Sequence, residues 1–193
     1  MRDQHEALTA ALLIALTLPA CDSPGDEMLD ATDQMNEEAP LATDGPPVAT
    51  AATYDIDGLG GAVVGRLELL DGAGGLLLKV EVDGLESGEH GLHLHETGRC
   101  EPPFESAGGH YNPAGRAHGL LADDGPHAGD LPNLVAGEAT TTVAHAWASG
   151  LSIDELTRDD GSALVVHARA DDYRSDPAGA AGDRVACAEI VSP

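Results

Sequence analysis

Aliphatic and polar side chains alternate over residues 76–83, and this pattern restricts the fold more than any other feature of the chain. The aliphatic positions on one side are Leu76, Leu78, Val80 and Val82. A period of two places alternate side chains on opposite faces, as in a β-strand with one buried face. Residues 64–69 repeat the pattern, and the glycine-rich residues 71–75 between the two segments predict a hairpin turn.

The composition favours a β-structure with many turns. Only 3% of the residues are aromatic, so the core must be built from Val, Leu, Ile and Ala, and 24 glycines with 12 prolines disfavour a helical bundle. The length of 193 residues allows one domain with about fifty residues to spare. One short helix is expected near 153–156. We expect further strands at 89–95, 117–122, 138–146, 162–168 and 184–191.

The charge of the chain excludes two kinds of interaction. There are 34 acidic residues against 9 basic ones, a formal net charge of −25. Nucleic acids and anionic lipid surfaces are bound through clusters of Lys and Arg, and this chain has a single lysine, Lys79. We therefore expect no nucleic-acid partner and no electrostatic docking on a membrane.

The N-terminal residues resemble an export signal. Residues 7–20 form an apolar run that is too short to span a bilayer. The run ends at Leu18-Pro19-Ala20-Cys21, which resembles a bacterial lipobox. Residues 1–20 are predicted to be a signal peptide and Cys21 to carry a lipid; a soluble signal peptide cut nearby, or a misplaced start codon, is the alternative. The membrane would be reached through this anchor alone, with the protein facing the periplasm or the cell exterior.

Residues 21–52 have the composition of a disordered tether. Positions 22–52 hold eight acidic residues, four prolines and no basic residue. Low hydrophobicity with high net charge leaves too little apolar surface to order a chain. A short helix around residues 26–38 is the alternative. The folded domain is then expected at 53–193.

Histidines are concentrated in the middle of the chain, where six of the nine fall between His90 and His127. His93 and His95 occupy positions i and i+2 of one predicted strand, so both rings project from the same face. Imidazole nitrogens suit copper and zinc, and one carboxylate among them is compatible with zinc. The pattern therefore predicts a metal site, for which the further candidate ligands are His110, His118, His127, Asp130 and His167.

Five stretches of the sequence resemble the copper/zinc superoxide dismutase family. They are GLHLHETGRC, SAGGHYNP, HAGDLPN, GSALVVHARADDY and AGDRVACAEI. The resemblance covers about residues 76–190. It is weaker over residues 53–75. It implies an all-β fold, a Greek-key β-barrel or sandwich of about eight antiparallel strands with long metal-binding and channel loops. It also implies an oxidoreductase that converts superoxide to oxygen and hydrogen peroxide by copper redox cycling.

The same resemblance implies a role for each candidate ligand. Copper would be held by His93, His95, His110 and His167. Zinc, in a structural role, would be held by His110, His118, His127 and Asp130. His110 would bridge the two ions and supply a proton. Asp171 would link a copper ligand to a zinc ligand, and Arg184 would hold the substrate anion beside copper.

The three cysteines allow three pairings. The resemblance implies that Cys100 pairs with Cys187, in an oxidising compartment outside the cytoplasm, with Cys21 reserved for the lipid. Two buried free thiols are the alternative.

Two features depart from the family pattern. The family usually continues beyond Cys187 with a glycine and a longer tail that helps to form the dimer, so both a monomer and a homodimer stay open here. The loop at 172–183 contains no lysine, so a positive funnel for superoxide would be weak.

A copper- and zinc-binding protein without turnover is the main alternative function. A zinc hydrolase is a weaker one, since four protein ligands leave no open position on zinc.

Overall fold

The computed structural model describes residues 51–192. The predicted signal peptide at 1–20, Cys21 and all but the last two residues of the predicted tether lie outside these residues. None of the helices in the described part is long and apolar enough to cross a bilayer. What the structure describes is thus nearly all of the domain expected at 53–193.

The described residues form nine β-strands and two short helical segments. The strands are β1 (Ala51–Gly58), β2 (Val63–Gly72), β3 (Gly75–Asp83), β4 (Gly88–His90), β5 (Leu92–His95), β6 (Leu134–Ala136), β7 (Thr141–Ser149), β8 (Ser162–His167) and β9 (Arg184–Ile190). A 3-10 turn covers Glu105–Ala107, and the helix α1 covers Ile153–Leu156. The all-β prediction, the short helix and the strands expected at 162–168 and 184–191 are confirmed.

The strands are connected as a Greek key. Seven of them form one antiparallel sheet in the order β5-β8-β9-β1-β2-β3-β7, and β4 pairs with β6. β9 pairs with both β8 and β1, so among the described residues the last strand lies beside the first. Long connections that bring sequence-distant strands side by side are what the Greek-key arrangement requires. The expected antiparallel Greek-key barrel or sandwich is confirmed.

Alternating side chains of β2 and β3 build the core. The aliphatic residues of β3 that are at most 1% exposed are Leu76, Leu78, Val80 and Val82. β2 adds Leu67 and Leu69, which are fully buried, and the two strands pair without interruption down to Gly72 and Gly75 at the predicted hairpin. Each such side chain contributes about 1.5–3 kcal/mol when it is removed from water. The packed sheet is therefore a stable scaffold for the long loops at its edges.

Gly91 divides the strand that is predicted at 89–95 into β4 and β5. Its carbonyl accepts a hydrogen bond from the His167 N–H (2.8 Å), which ties β5 to the end of β8. A Cβ at this position would lie 2.8 Å from the Ala181 Cβ and 3.2 Å from His93 Cε1. Only glycine permits so close an approach. The break lets β4 pair with β6 while β5 pairs with β8.

The strand predicted at 117–122 is wrong, because these residues belong to a loop. The apolar run resembles a strand, but Leu121 is 54% exposed. The backbone N–H groups of the segment have scattered partners: Gly119 donates to the Asp130 carboxylate (2.8 Å), and Leu121 donates to the Tyr173 carbonyl (3.1 Å). The backbone of this loop is therefore bonded to Asp130 and Tyr173 and not to a neighbouring strand.

Further boundaries differ from the sequence prediction, and β7 ends at Ser149 where the predicted strand ends at residue 146. β7 begins at Thr141 and not at residue 138, because residues 138–140 form the bend that precedes it. The sequence does not predict β1 or the three-residue β6. β1 begins at Ala51, so the last two residues of the predicted tether at 21–52 are part of the sheet.

Candidate metal centre

Six histidines and two aspartates converge at one edge of the sheet. β5 supplies His93 and His95, and β8 ends at His167 beside them, because β5 pairs with β8. Isolated bridges of His93 with Asp130 and of His95 with His110 bring the long loop after β5 over the same edge. All of the converging side chains are at most 8% exposed, and they are His93, His95, His110, His118, His127, His167, Asp130 and Asp171.

Four of the histidines present unpaired ring nitrogens to one another. Their ligand atoms all lie within 4.8 Å of one another, and the set is His93, His95, His110 and His167. The buried nitrogens that have no hydrogen-bond partner in the described part of the chain are His93 Nδ1, His95 Nε2, His110 Nε2 and His167 Nε2. A buried polar atom without a partner is costly and calls for an explanation. Four of them directed at one point fit a metal ion that prefers imidazole nitrogen, such as copper.

The opposite nitrogen of each ring is occupied. His95 Nδ1 lies 3.0 Å from the Gly108 carbonyl, and His167 Nδ1 lies 3.0 Å from the Gly182 carbonyl. Since a carbonyl only accepts, these nitrogens donate, and the lone pair of each ring is on the nitrogen that faces the centre. His93 Nε2 is bonded to Asp171 Oδ2 (2.8 Å) in the same way. Such partners fix the tautomer that a metal ligand needs.

Three histidines of this set, His95, His110 and His167, are held in the neutral form. Burial, together with the neighbouring His93 ring, lowers the pKa of His110 to about 4 and that of His167 to about 3. Burial also lowers the pKa of His95, well below its ordinary value. Metal binding requires deprotonated ligands. These three rings are therefore ready to bind metal at neutral pH without first losing protons.

A second group of ligand atoms surrounds Asp130. Its Oδ1 lies 2.8 Å from His110 Nδ1, 3.1 Å from His118 Nδ1 and 3.2 Å from His127 Nδ1. His127 Nδ1 is 3.4 Å from His110 Nδ1. Four ligands bound tetrahedrally to zinc at about 2.0–2.1 Å would be about 3.3 Å apart. These four distances are therefore close to the spacing that a tetrahedral zinc site demands.

Another grouping of nearby ligand atoms contains His93 in place of His127. His93, His110, His118 and Asp130 also have ligand atoms within 4.8 Å of one another. This reflects the closeness of the two centres, since the ring centroids of His93 and His110 are 4.0 Å apart. The Nε2 of His93 is already bonded to Asp171, so the distances favour His127 as the fourth member of the zinc-like group.

The carboxylate of Asp130 is fixed and charged. Its Oδ2 accepts hydrogen bonds from the backbone N–H groups of Gly119 (2.8 Å) and His127 (3.0 Å). Burial raises the pKa of Asp130, but the hydrogen bonds from His110 and Gly119 outweigh it and hold this pKa well below its usual value. Oδ1 is thereby left to face the three rings as an anionic ligand.

Asp171 connects the two groups. Its Oδ2 lies 2.8 Å from His93 Nε2 and its Oδ1 lies 3.1 Å from His118 Nε2. Burial raises the pKa of Asp171, but the hydrogen bonds from His93 and His118 lower it to about 2. Gly179 packs directly over this carboxylate, where a Cβ would lie 2.8 Å from His118 Nε2 and closer still to Asp171. Gly179 also has φ +61°, so glycine is required there on two counts.

Arg184 lies beside the four-histidine set. Its Nη1 donates to the Phe104 carbonyl (2.6 Å) and its Nη2 to the Gly108 carbonyl (2.7 Å). Burial lowers the pKa of Arg184 from its usual value. The guanidinium lines an open cleft of about 350 Å³ together with His110 and His167. A fixed positive group therefore stands at the entrance to the histidine set.

A disulfide between Cys100 and Cys187 holds the loop that orients Arg184. The two Cα atoms are 5.7 Å apart. The bond lies in a buried cluster with Phe104 and Val165. Since Cys187 is in β9, three residues after Arg184, the disulfide fastens the loop carbonyls to the strand that supplies the arginine. The predicted pairing is confirmed.

The structure thus brings together every predicted site residue within 51–192, and Cys21 lies outside the described residues. His90, which has no predicted metal role, has both ring nitrogens near backbone carbonyls, those of His167 (2.7 Å) and Glu86 (2.8 Å). Sequence reasoning missed Asn133 and Tyr173, which bond around Asp171. Both residues lie inside the quoted stretches HAGDLPN and GSALVVHARADDY, but no spacing pattern distinguishes them.

Comparison with known proteins gives one consistent result. A family model described as copper/zinc superoxide dismutase matches residues 63–190. The chain is 42% identical over 137 residues to "Superoxide dismutase [Cu-Zn] 2" of Aquifex aeolicus, covering 67% of this chain and 80% of that protein. It is 38% identical over 148 residues to "Superoxide dismutase [Cu-Zn]" of Caulobacter vibrioides, covering 72% and 85%. The crystal structure of a SOD-like protein from Bacillus subtilis superposes with a TM-score of 0.71 at 33% identity, covering 74% of this chain and all of that one.

Proposed function

The chain belongs to the copper/zinc superoxide dismutase family, and on that premise we propose how its residues share the conversion of superoxide to oxygen and hydrogen peroxide. The enzyme is an oxidoreductase that uses copper and zinc. The copper ligands in this proposal are His93, His95, His110 and His167. The zinc ligands are His110, His118, His127 and Asp130.

The proposal rests chiefly on the four buried ring nitrogens that lack a partner within the described residues. Each belongs to a ring whose other nitrogen is bonded or faces Asp130. This pattern leaves four lone pairs for one ion. His110 is the ring shared by both groups, since its Nε2 is one of the four and its Nδ1 lies 2.8 Å from Asp130 Oδ1.

The residues around the ions divide the remaining work. When bound, copper supplies a one-electron couple that oxidises one superoxide to oxygen and reduces a second, while zinc holds the loop. Arg184 binds the anion, because both of its Nη atoms are fixed by carbonyls and its remaining N–H groups have no acceptor among the described residues. His110 Nε2 can hold one of the two protons that hydrogen peroxide requires, and water supplies the other. Asp171 keeps the protons of His93 and His118 on Nε2, away from the ions.

Metal analysis of the purified chain, combined with a superoxide-consumption assay, tests this assignment. We expect about one copper and one zinc per chain and rapid consumption of superoxide that is lost when copper is removed and restored when copper is returned. A chain that holds both metals but consumes no superoxide would support the binding protein without turnover. A chain that holds zinc alone would contradict the copper site.

We further propose that the enzyme works outside the cytoplasm on a lipid anchor. The Cys100–Cys187 disulfide fits an oxidising compartment. The anchor is supported by the lipobox-like residues before Cys21 and by the acidic composition of the segment up to residue 52. The domain beyond it can act as a monomer or a homodimer, since every group of the proposed site comes from one chain.

Mass analysis of the mature N-terminus tests the anchor. We expect the mature chain to begin at Cys21, with the added mass of a diacylglycerol. Cys21→Ser is the matched variant: the thiol is lost, so the protein should be released or left unprocessed, while activity per bound copper stays at the parent level. An unmodified, soluble N-terminus at another residue would contradict the anchor and leave the metal sites unaffected.

A further inference from the structure

Tyr173 has an unusual backbone conformation next to Asp171. Its φ is +62°, a region that residues with side chains rarely adopt. Such a conformation persists only where surrounding contacts hold it, and it often marks a functional site. The contacts of Tyr173 show which part of the metal centre it serves.

Three hydrogen bonds join Tyr173 to Asp171 in its own loop and to two distant segments. Its N–H donates to Asp171 Oδ1 (2.6 Å). Its carbonyl accepts from the Leu121 N–H (3.1 Å), in the loop that contains His118. Its phenol oxygen accepts from the Asn133 N–H (2.7 Å). Tyr173 therefore connects the loop after β8 with two points of the segment that contains the proposed zinc ligands, one between His118 and His127 and one shortly after Asp130.

Asn133 completes the attachment of Asp171. Its side chain accepts from the Asp171 N–H at Oδ1 (2.9 Å) and donates from Nδ2 to the Asp171 carbonyl (3.0 Å). The backbone of Asp171 is thus paired with one amide side chain, while its carboxylate is held by the backbone of Tyr173. Because the phenol binds the Asn133 backbone, loss of the phenol would loosen Asn133 and, with it, Asp171.

We propose that Tyr173 is a positioning residue that keeps Asp171 across His93 and His118 and thereby slows the release of zinc. The inference rests on the proposed assignment of zinc to His118. Asp171 Oδ1 holds the proton of His118 on Nε2 (3.1 Å) and so orients Nδ1 toward Asp130. If the carboxylate turns, the His118 ring is free to rotate out of the zinc group.

The test compares two Tyr→Phe variants of the metal-loaded full chain. Tyr173→Phe removes the acceptor for Asn133, and Tyr111→Phe is the matched control, since its phenol donates to Glu155 of α1 (3.0 Å) and not to the Asp171 network. Zinc release to an excess of a chromophoric chelator is followed by absorbance. Residues that orient metal ligands typically change affinity by about 10- to 100-fold, and we expect Tyr173→Phe to release zinc about tenfold faster than the parent. Tyr111→Phe should stay within about twofold of the parent on the same measure.

The outcomes separate this inference from the proposed function. We expect both variants to shift the thermal unfolding temperature of the metal-free protein by a similar amount. If Tyr173 had a purely structural role, Tyr173→Phe and Tyr111→Phe would therefore release zinc at equal rates. Equal rates in a chain that binds zinc would overturn the inference alone, whereas a parent that binds no zinc would overturn the zinc assignment as well. If Tyr173→Phe does not fold, Asn133→Ser is measured in the same way and is expected to speed zinc release at least as much.

Discussion

His167→Ala is expected to abolish superoxide consumption and copper binding while about one zinc per chain is retained. His167 Nε2 is one of the four buried nitrogens without a partner among the described residues. Its Nδ1 is bonded to the Gly182 carbonyl, so the ring takes no part in the group around Asp130. Removal of this ring leaves three imidazoles for copper and an enlarged cleft, but it leaves the zinc-like group intact. Metal content and superoxide consumption, measured on the same preparation, check the prediction.

Asp130→Asn is the reverse variant and is expected to lose zinc first. The carboxylate is the one anion in its group and lies within 3.2 Å of three ring nitrogens. Its Oδ2 also accepts two backbone N–H groups, so the loop should become less stable. His145→Ala is the control, because His145 is exposed on β7 and should keep both metals. Equal loss of copper and zinc in the His167 variant would contradict two separate ligand sets.

The metal ligands could be predicted because their chemistry leaves a pattern in the sequence. His93 and His95 share a face because a strand has a period of two, and the structure places both in β5. The remaining ligands follow the spacing of a known family. The helix at 153–156 was also within reach of sequence reasoning, since the Ser152 side chain accepts from the Glu155 N–H (3.2 Å) as a helix cap.

The loops could not be predicted because distant residues determine them. Residues 117–122 are apolar enough to resemble a strand, yet their hydrogen bonds go to Asp130 and Tyr173. Tyr173 and Asn133 are 40 residues apart and meet only in the folded protein. β6 has three residues, too few for an alternating pattern to be recognised. In these places, tertiary contacts prevail over local preference.

The net charge of the domain opposes the approach of its substrate. Residues 53–193 contain 24 acidic and 8 basic residues, a formal charge of −16, and superoxide is an anion. At physiological ionic strength the Debye length is about 8 Å, so distant carboxylates are largely screened. Arg184 lines the cleft with His110 and His167, close enough to act on a bound anion directly. The local field of Arg184 should therefore dominate over the acidic surface, and the rate of the parent should depend only modestly on salt.

Arg184→Glu is accordingly expected to lower the rate of superoxide consumption at least about tenfold with both metals still bound. A unit charge about 5 Å from an anion is worth about 1 kcal/mol in water and about 3 kcal/mol at an effective dielectric constant near 20, and reversal of the charge doubles this. A change of about 1.4 kcal/mol corresponds to a factor of ten. Arg66→Glu makes the same change of charge on the exposed face of β2 and should leave the rate within about twofold, because screening weakens distant charges. Rates and metal contents measured across ionic strengths decide the matter: if Arg184→Glu keeps the parent rate while both metals are present, Arg184 does not guide the substrate.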